Sequence, residues 1–557
     1  MDSSLSEFSY DNPHAYHPVV PPDYALAERI RIHIEDGLFD TAISNIESIL
    51  FSGFSDQPST PGLLVPANYI RFLTTLLCHP FYTTQVRTKS TPVTAPENTH
   101  VLLRRIINVV GPISADLGAA WKFSSLTKAR IGRRKQGLHG GGQGDKGSLS
   151  DGGDGGDDHI SGAIANEESL FTVAEDFWSI VGWAFNCSVK HKSRWRYWRN
   201  VLDVMVLALE RDWEDRLKRY NEAMDKKKRK DDNVMNGSSS PSMDSSSRKR
   251  FKRSNTPPFG SGPDTHLNNA LILSFLPSTY GSAGYKRVIR SIFADGSERS
   301  TEFKELWPDE LVRRRKKLPG RQDIGKTMSR DYHEESSDEE DERLDDERGE
   351  EDMEMEDVAR PTNVVDRWGG LESLDFRQRL LTLISEVCFF EKFISVEDFM
   401  LQLTDNIRHL PLPSFSLFTT NYLLAHPSYR SCLAQTILDS IRTPQNKQSD
   451  SDTITLDVFI NIYAPCPASN TTASDNVKIS VLLEVLARLL TRVDDFRWSK
   501  ELEEAVETGI KERRRKGTRL KPGETKEEFT RLWDAADRKL RMWVTLARDK
   551  LMEESRK

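Results

Sequence analysis

Apolar residues in this chain recur at three- and four-residue steps inside separate blocks, and long charged or glycine-rich stretches with nothing to bury stand between those blocks. The first property selects helices with one apolar face, and the second interrupts any continuous core segment. The clearest block, 167–220, holds five of the eleven tryptophans. Phe177, Val181 and Ala184 share a face of its first helix, and Trp195, Trp198, Leu202, Met205, Leu209 and Trp213 line up along its second. Rings of that size bury much area per residue, which predicts the centre of a bundle or a partner groove.

Similar periodicity marks the other blocks. Leu26, Ile30 and Ile34 form one face before a break at Gly37, and Phe39, Ile43, Ile46 and Ile49/Leu50 form a second, which reads as a helical hairpin. Helices follow at 67–79 and 97–111. Tyr285, Val288, Ile289 and Ile292 mark a short basic helix, and Ser300 or Thr301 is placed to cap another that carries Phe303, Leu306 and Trp307. Beyond 366, helices are predicted at 374–390, 396–410, 428–443, 477–493, 499–516 and from Thr525 onward, with Ser395 and Asp398 arranged as a capping box and Thr525 with Glu528 opening the last helix in the same way. Only 453–466 has strand character. The predicted fold is therefore all-α, either an irregular helical bundle or a short α-solenoid interrupted by long disordered charged inserts.

On this reading the chain divides into a disordered N-terminus (1–22), helical hairpins (23–131), a Gly/Asp-rich linker (132–165), a Trp-rich helical pair (166–220), a basic disordered insert (221–263), a short helical unit (264–320), an acidic disordered insert (321–365) and a C-terminal helical domain (366–557) that is expected to fold alone. The glycine run in 132–158 is no phosphate loop, because no strand precedes it and it contains no GK[ST].

The hydrophobic share of 37% falls below the about 45–50% usual for globular chains, and the deficit lies in the inserts. A net charge of −7 averages basic clusters against the acidic run at 331–357. Local charge therefore decides what the surface attracts. The five cysteines lie far apart with no CxxC pair or zinc spacing, so they read as small apolar residues of a reducing compartment, with no metal or cofactor implied. The N-terminal sequence lacks a secretory pattern, and no stretch is long and apolar enough to span a bilayer, so no membrane partner is expected.

Two basic groups, Lys226, Lys227, Lys228, Arg229 and Lys230 with Arg248, Lys249, Arg250, Lys252 and Arg253, are candidate importin-binding nuclear localisation signals. Ser240 and Thr256, each followed by proline, and Ser336 and Ser337, followed by acidic residues, are candidate phosphorylation sites; phosphate on Thr256 would mask the adjacent basic group. Lys190, Lys192, Arg194, Arg196 and Arg199 form a candidate nucleic-acid contact, competing with a simpler reading in which Trp195 and Trp198 are core and the cations occupy the wet face.

No GxSxG or HExxH occurs, and no carboxylate pair stands apart from the helical surface charges. A non-catalytic nuclear scaffold or adaptor subunit of a chromatin or DNA-repair complex is the expectation, with protein subunits as partners. The alternative is an RNA-associated nuclear factor in ribosome assembly or RNA processing, binding DNA or RNA directly through basic clusters at 130–135, 190–199, 313–317 and 511–521; an enzyme without a recognisable motif ranks below both.

Overall fold

A computed structural model describes residues 16–52, 61–85, 94–124, 159–236, 264–277, 282–308, 310–311, 363–388, 390, 393, 395–420, 427–443, 454–492, 496–520 and 526–554. The described chain is all-α, with one parallel pair of two-residue strands, β1 (Val19–Val20) and β2 (Gly62–Leu63), in register Val19 to Gly62.

Helix α1 (Tyr24–Glu35) starts where the Asp23 carboxylate accepts the Leu26 amide at 2.8 Å. Gly37, at φ +74°, adopts the left-handed conformation that reverses the chain into α2 (Phe39–Phe51). Next come α3 (Ala67–Leu76), α4 (Ala95–Val109), α5 (Phe177–Lys190), α6 (Lys192–Asn236) and α7 (Ser282–Ile292). Then follow α8 (Leu371–Cys388), α9 (Val396–Arg408), α10 (Leu412–Thr420), α11 (Pro427–Ile441), α12 (Ala473–Arg492), α13 (Lys500–Lys516) and α14 (Lys526–Glu554).

Most helices pack on near neighbours in the chain: α1 on α2, α2 and α3 on α4, α4 on α6, α5 on α6 and α7, α7 and α8 on one another, and α9 on α11. Helix α12 then receives α10, α11, α13 and α14. It is buried nearly all round, as an apolar helix enclosed on every side must be. One apolar cluster runs through all of this, from Ile30 to Ala547. Helix α7 lies on α9 and α8 lies on α6, so the core crosses the acidic insert without a break. The fully buried Arg377 of α8 secures that crossing by donating to the Ile292 carbonyl and, at 2.8 Å, to the Ala294 carbonyl.

Four segments differ from expectation. Val19–Val20 pairs with Gly62–Leu63, although disorder was expected over 1–22. The helix begun at Lys192 continues through Lys226–Lys230 to Asn236, although disorder was expected from 221. The reason is propagation: once packing has nucleated a helix, Glu, Ala, Met, Lys and Arg extend it at little cost without any core. The stretch 453–466 is not a strand. Thr455 caps a turn of helix at Leu456–Val458, which passes into a π-helical turn, Phe459–Tyr463; the one sheet among the described residues is the short pair β1–β2, which this segment does not join. Finally, Phe303, Leu306 and Trp307 do not share a helix. After a 3-10 turn at Glu298–Ser300, Phe303 and Trp307 enter separate seats. Phe303 lies on the backbone of α5 at Gly182, where a Cβ would collide with the ring.

Candidate functional site

The tryptophan block is organised by a carboxylate that the sequence did not single out. Glu310, with a fully buried side chain, accepts from Trp198 Nε1 at 2.8 Å, Trp183 Nε1 at 3.1 Å and Arg194 Nε at 2.8 Å. Arg194 is itself 1% exposed and pairs with Glu310 again through its terminal nitrogen at 2.6 Å. Its remaining donors reach the Cys78 carbonyl at 2.6 Å and Thr83 Oγ1 at 2.7 Å. A charge pair removed from water is tolerated only when its remaining donors and acceptors are also satisfied, and this network satisfies them.

The node holds two parts of one cavity. On the Arg194 side it fixes the turn after α3, where a 3-10 segment, Pro80–Tyr82, presents Phe81 and Tyr82. On the Glu310 side it also accepts the Leu306 amide at 3.3 Å, next to Trp307, whose indole donates to the Glu168 carbonyl at 2.8 Å. Between these parts and the α1–α2 hairpin opens a cavity of about 610 Å³. Phe39 meets Tyr82 edge-on at 5.0 Å, Tyr82 meets His79 at 5.5 Å, and His79 meets Trp307 edge-on at 5.3 Å, so the aromatic wall is continuous. Phe81, although apolar, is 61% exposed at the mouth.

Three carboxylates, Glu35, Glu167 and Glu168, complete the lining. The Ser161 amide donates to Glu35 at 2.9 Å, and this bond holds the Glu35 pKa below the ordinary value. Glu168 pairs with His79 Nε2 at 3.2 Å, while His79 Nδ1 has no hydrogen-bond partner. Burial lowers the His79 pKa despite the opposing charge of Glu168, so the ring is neutral near pH 7. Nothing in the sequence drew attention to His79 or to the acidic pair; of the aromatic lining, periodicity had marked only Phe39 and Trp307, each as part of a helical face.

The predicted nucleic-acid contact is not one surface. Arg194 lies in the core, which contradicts its assignment as a phosphate contact: it stands one turn before Trp198 on the inward face of α6. Trp195 and Trp198 are both buried. Arg196 pairs with Glu97 at 2.8 Å, Arg199 pairs with Glu372 at 2.9 Å, and Lys192 donates to the Ser188 carbonyl. Lys190 is exposed. In the 511–521 run, Arg513 is fully buried against the Ala464 carbonyl at 2.9 Å, Arg514 pairs with Asp534 at 2.6 Å and Asp537 at 2.7 Å, and Arg515 pairs with Glu512 at 2.7 Å.

Lys226, Lys227, Lys228 and Arg229 are exposed on the projecting end of α6, and Lys230 belongs to the same helix. Arg248, Lys249, Arg250, Lys252, Arg253, Ser240, Thr256, Ser336 and Ser337 lie outside the described residues, as do the runs at 130–135 and 313–317.

A second recess, of about 500 Å³, lies where α4, α6 and α8 meet. Asp203 there accepts from His100 at 2.7 Å and Arg104 at 2.5 Å, and Arg379 pairs with Glu210 at 2.6 Å, so its charges neutralise one another. Cys78, Cys187, Cys388 and Cys466 are buried, and burial raises each thiol pKa, which suppresses nucleophilic character. Among the described residues no cluster of three or more His, Cys, Asp or Glu could hold a metal, and no helix is long and apolar enough to cross a membrane.

Family models, curated proteins and solved structures were each compared with the chain, and none matches it.

Proposed function

We propose that this chain is a non-catalytic scaffold or adaptor subunit of a nuclear complex, of the chromatin or genome-maintenance kind, and that it engages protein partners through its helical surfaces. The observation that carries the reading is the Arg194–Glu310 node: one cation of the run that resembled a phosphate-binding stripe, Arg194, instead supports an aromatic, acid-lined cavity. Phosphate is repelled by such a lining, whereas a protein side chain with an apolar stem is suited to it. The internal pairing of Arg513, Arg514 and Arg515 supports the same view.

Affinity purification of the tagged full-length protein from nuclear extract, with nuclease present, tests this. The expected outcome is a small set of stoichiometric protein partners that survive nuclease treatment. Loss of every partner on nuclease treatment would count against a scaffold. The RNA-associated alternative retains one specific support, the exposed cations Lys226–Arg229 on α6. It requires affinity for nucleic acid that falls steeply with salt.

A further inference from the structure

Resting on the scaffold reading, we propose that the cavity beside the Arg194–Glu310 node is a receptor for a lysine or arginine side chain presented by an extended basic segment of a partner protein. Its volume of about 610 Å³ lies within the roughly 300–1,000 Å³ typical of ligand pockets. The walls are aromatic, with Phe39, Tyr82 and Trp307 around the interior and Phe81 exposed at the mouth. Such rings attract a cation to their faces and cover an alkyl stem with apolar surface. The charged lining residues are Glu35, Glu167 and Glu168, and no lysine or arginine is among the described residues that line the cavity.

His79 closes the wall between Tyr82 and Trp307. The ring is 5% exposed and its Nε2 faces the Glu168 carboxylate, which only accepts hydrogen bonds; Nε2 therefore carries the hydrogen. In the neutral ring that leaves Nδ1 as an acceptor, and it has no partner. That atom is closed to solvent, so recognition of the cation falls to the aromatic rings and the carboxylates of the lining.

The test uses the purified full-length protein and a fluorescein-labelled Gly-Lys-Ala-Lys-Gly peptide, titrated by anisotropy at physiological ionic strength, beside the same peptide with glutamine for lysine. Saturable binding of the lysine peptide is expected, with the glutamine peptide at least about tenfold weaker. Phe81→Ala, at an exposed position whose loss leaves the fold intact, should weaken binding by about three- to tenfold, as should Glu167→Gln, in line with a cation held by one ring or one carboxylate. Glu504→Gln, on the exposed face of α13, should leave it unchanged. Equal affinity for the two peptides, no binding, or indifference to both Phe81→Ala and Glu167→Gln would overturn the inference. So would binding that arises only after Arg313, Arg314, Arg315, Lys316 and Lys317 are changed to glutamine, since the occupant would then be the chain's own basic run. Failure here leaves nuclease-resistant partner capture untouched, whereas failure of that capture removes the scaffold itself.

Discussion

At the scale of single residues, Arg194 and Glu310 show what periodicity can and cannot reveal. Arg194 precedes Trp198 by one turn, so its inward position was legible from spacing, but its positive charge argued for water. The partner that reverses that argument lies 116 residues away in a segment without helical pattern, and no local signal announces it. Glu310→Gln should therefore be severe, because it leaves a buried guanidinium without its counter-charge. A loss of about 3–5 kcal/mol in guanidinium-induced unfolding is expected, and a change under about 1 kcal/mol would show that the pair carries no such load. Buried thiols supply a second prediction. Burial holds Cys78, Cys187 and Cys388 protonated in the fold, while the unfolded chain ionises near pH 8.5. Above that pH the native state binds more protons than the unfolded one, so stability should fall as pH rises from about 8.5 and be insensitive to these groups below it. Unfolding curves between pH 7 and 10 check the sign. Rapid labelling of Cys78, Cys187, Cys388 and Cys466 by a thiol reagent under native conditions would contradict their burial.

Among elements, helices with their own caps were the easiest to read. Ser395 accepts the Asp398 amide at 3.2 Å, and Ser499 accepts the Leu502 amide at 3.1 Å, each at the start of a predicted helix. Ser499→Ala should cost about 1 kcal/mol, the usual worth of such a cap, measured as a lowered denaturation midpoint with unchanged slope. Thr525, where the last helix was expected to begin, lies outside the described residues. Harder cases were elements whose form depends on distant groups. The π turn at Phe459–Tyr463 directs the Ala464 carbonyl to Arg513, and the irregular path of 301–308 follows from the seats of Phe303 and Trp307. The far end of α6 was missed for the opposite reason: its residues 224–229 are exposed and carry no apolar face that periodicity could mark. Because residues 224–229 are exposed, changing Lys226, Lys227, Lys228, Arg229 and Lys230 together to glutamine should leave stability within about 0.5 kcal/mol. The same variant, tagged, should lose nuclear accumulation if this group is the import signal; an unchanged nuclear signal would assign import elsewhere.

For the whole molecule, helical class followed from periodicity, whereas the order of packing did not, since it is set by pairs such as α7 with α9 and α6 with α8 that stand on opposite sides of the acidic insert. The charged inserts suggested separable domains. A loop, however long, costs little extra entropy to close, so an insert is no evidence of a boundary. The candidate site shares this origin: its aromatic residues were visible in the sequence, but the cavity forms only where α1, α2, the Pro80–Tyr82 turn and Trp307 converge through contacts distant in sequence. If the core is continuous, residues 363–557 depend on α6 and α7, through Arg377 with the Ile292 and Ala294 carbonyls, Phe376 with Trp195, and Arg379 with Glu210.

Expression of 363–557 alone and together with 1–362 tests the central claim, that one helical core continues across the acidic insert. The fragment alone should be poorly soluble or melt without cooperativity, and co-expression should recover a stable complex of the two pieces with a single cooperative transition. A fragment that is soluble, protease-resistant and cooperatively folded by itself, with the same midpoint as the full chain, would contradict the continuous core and leave two tethered domains in its place.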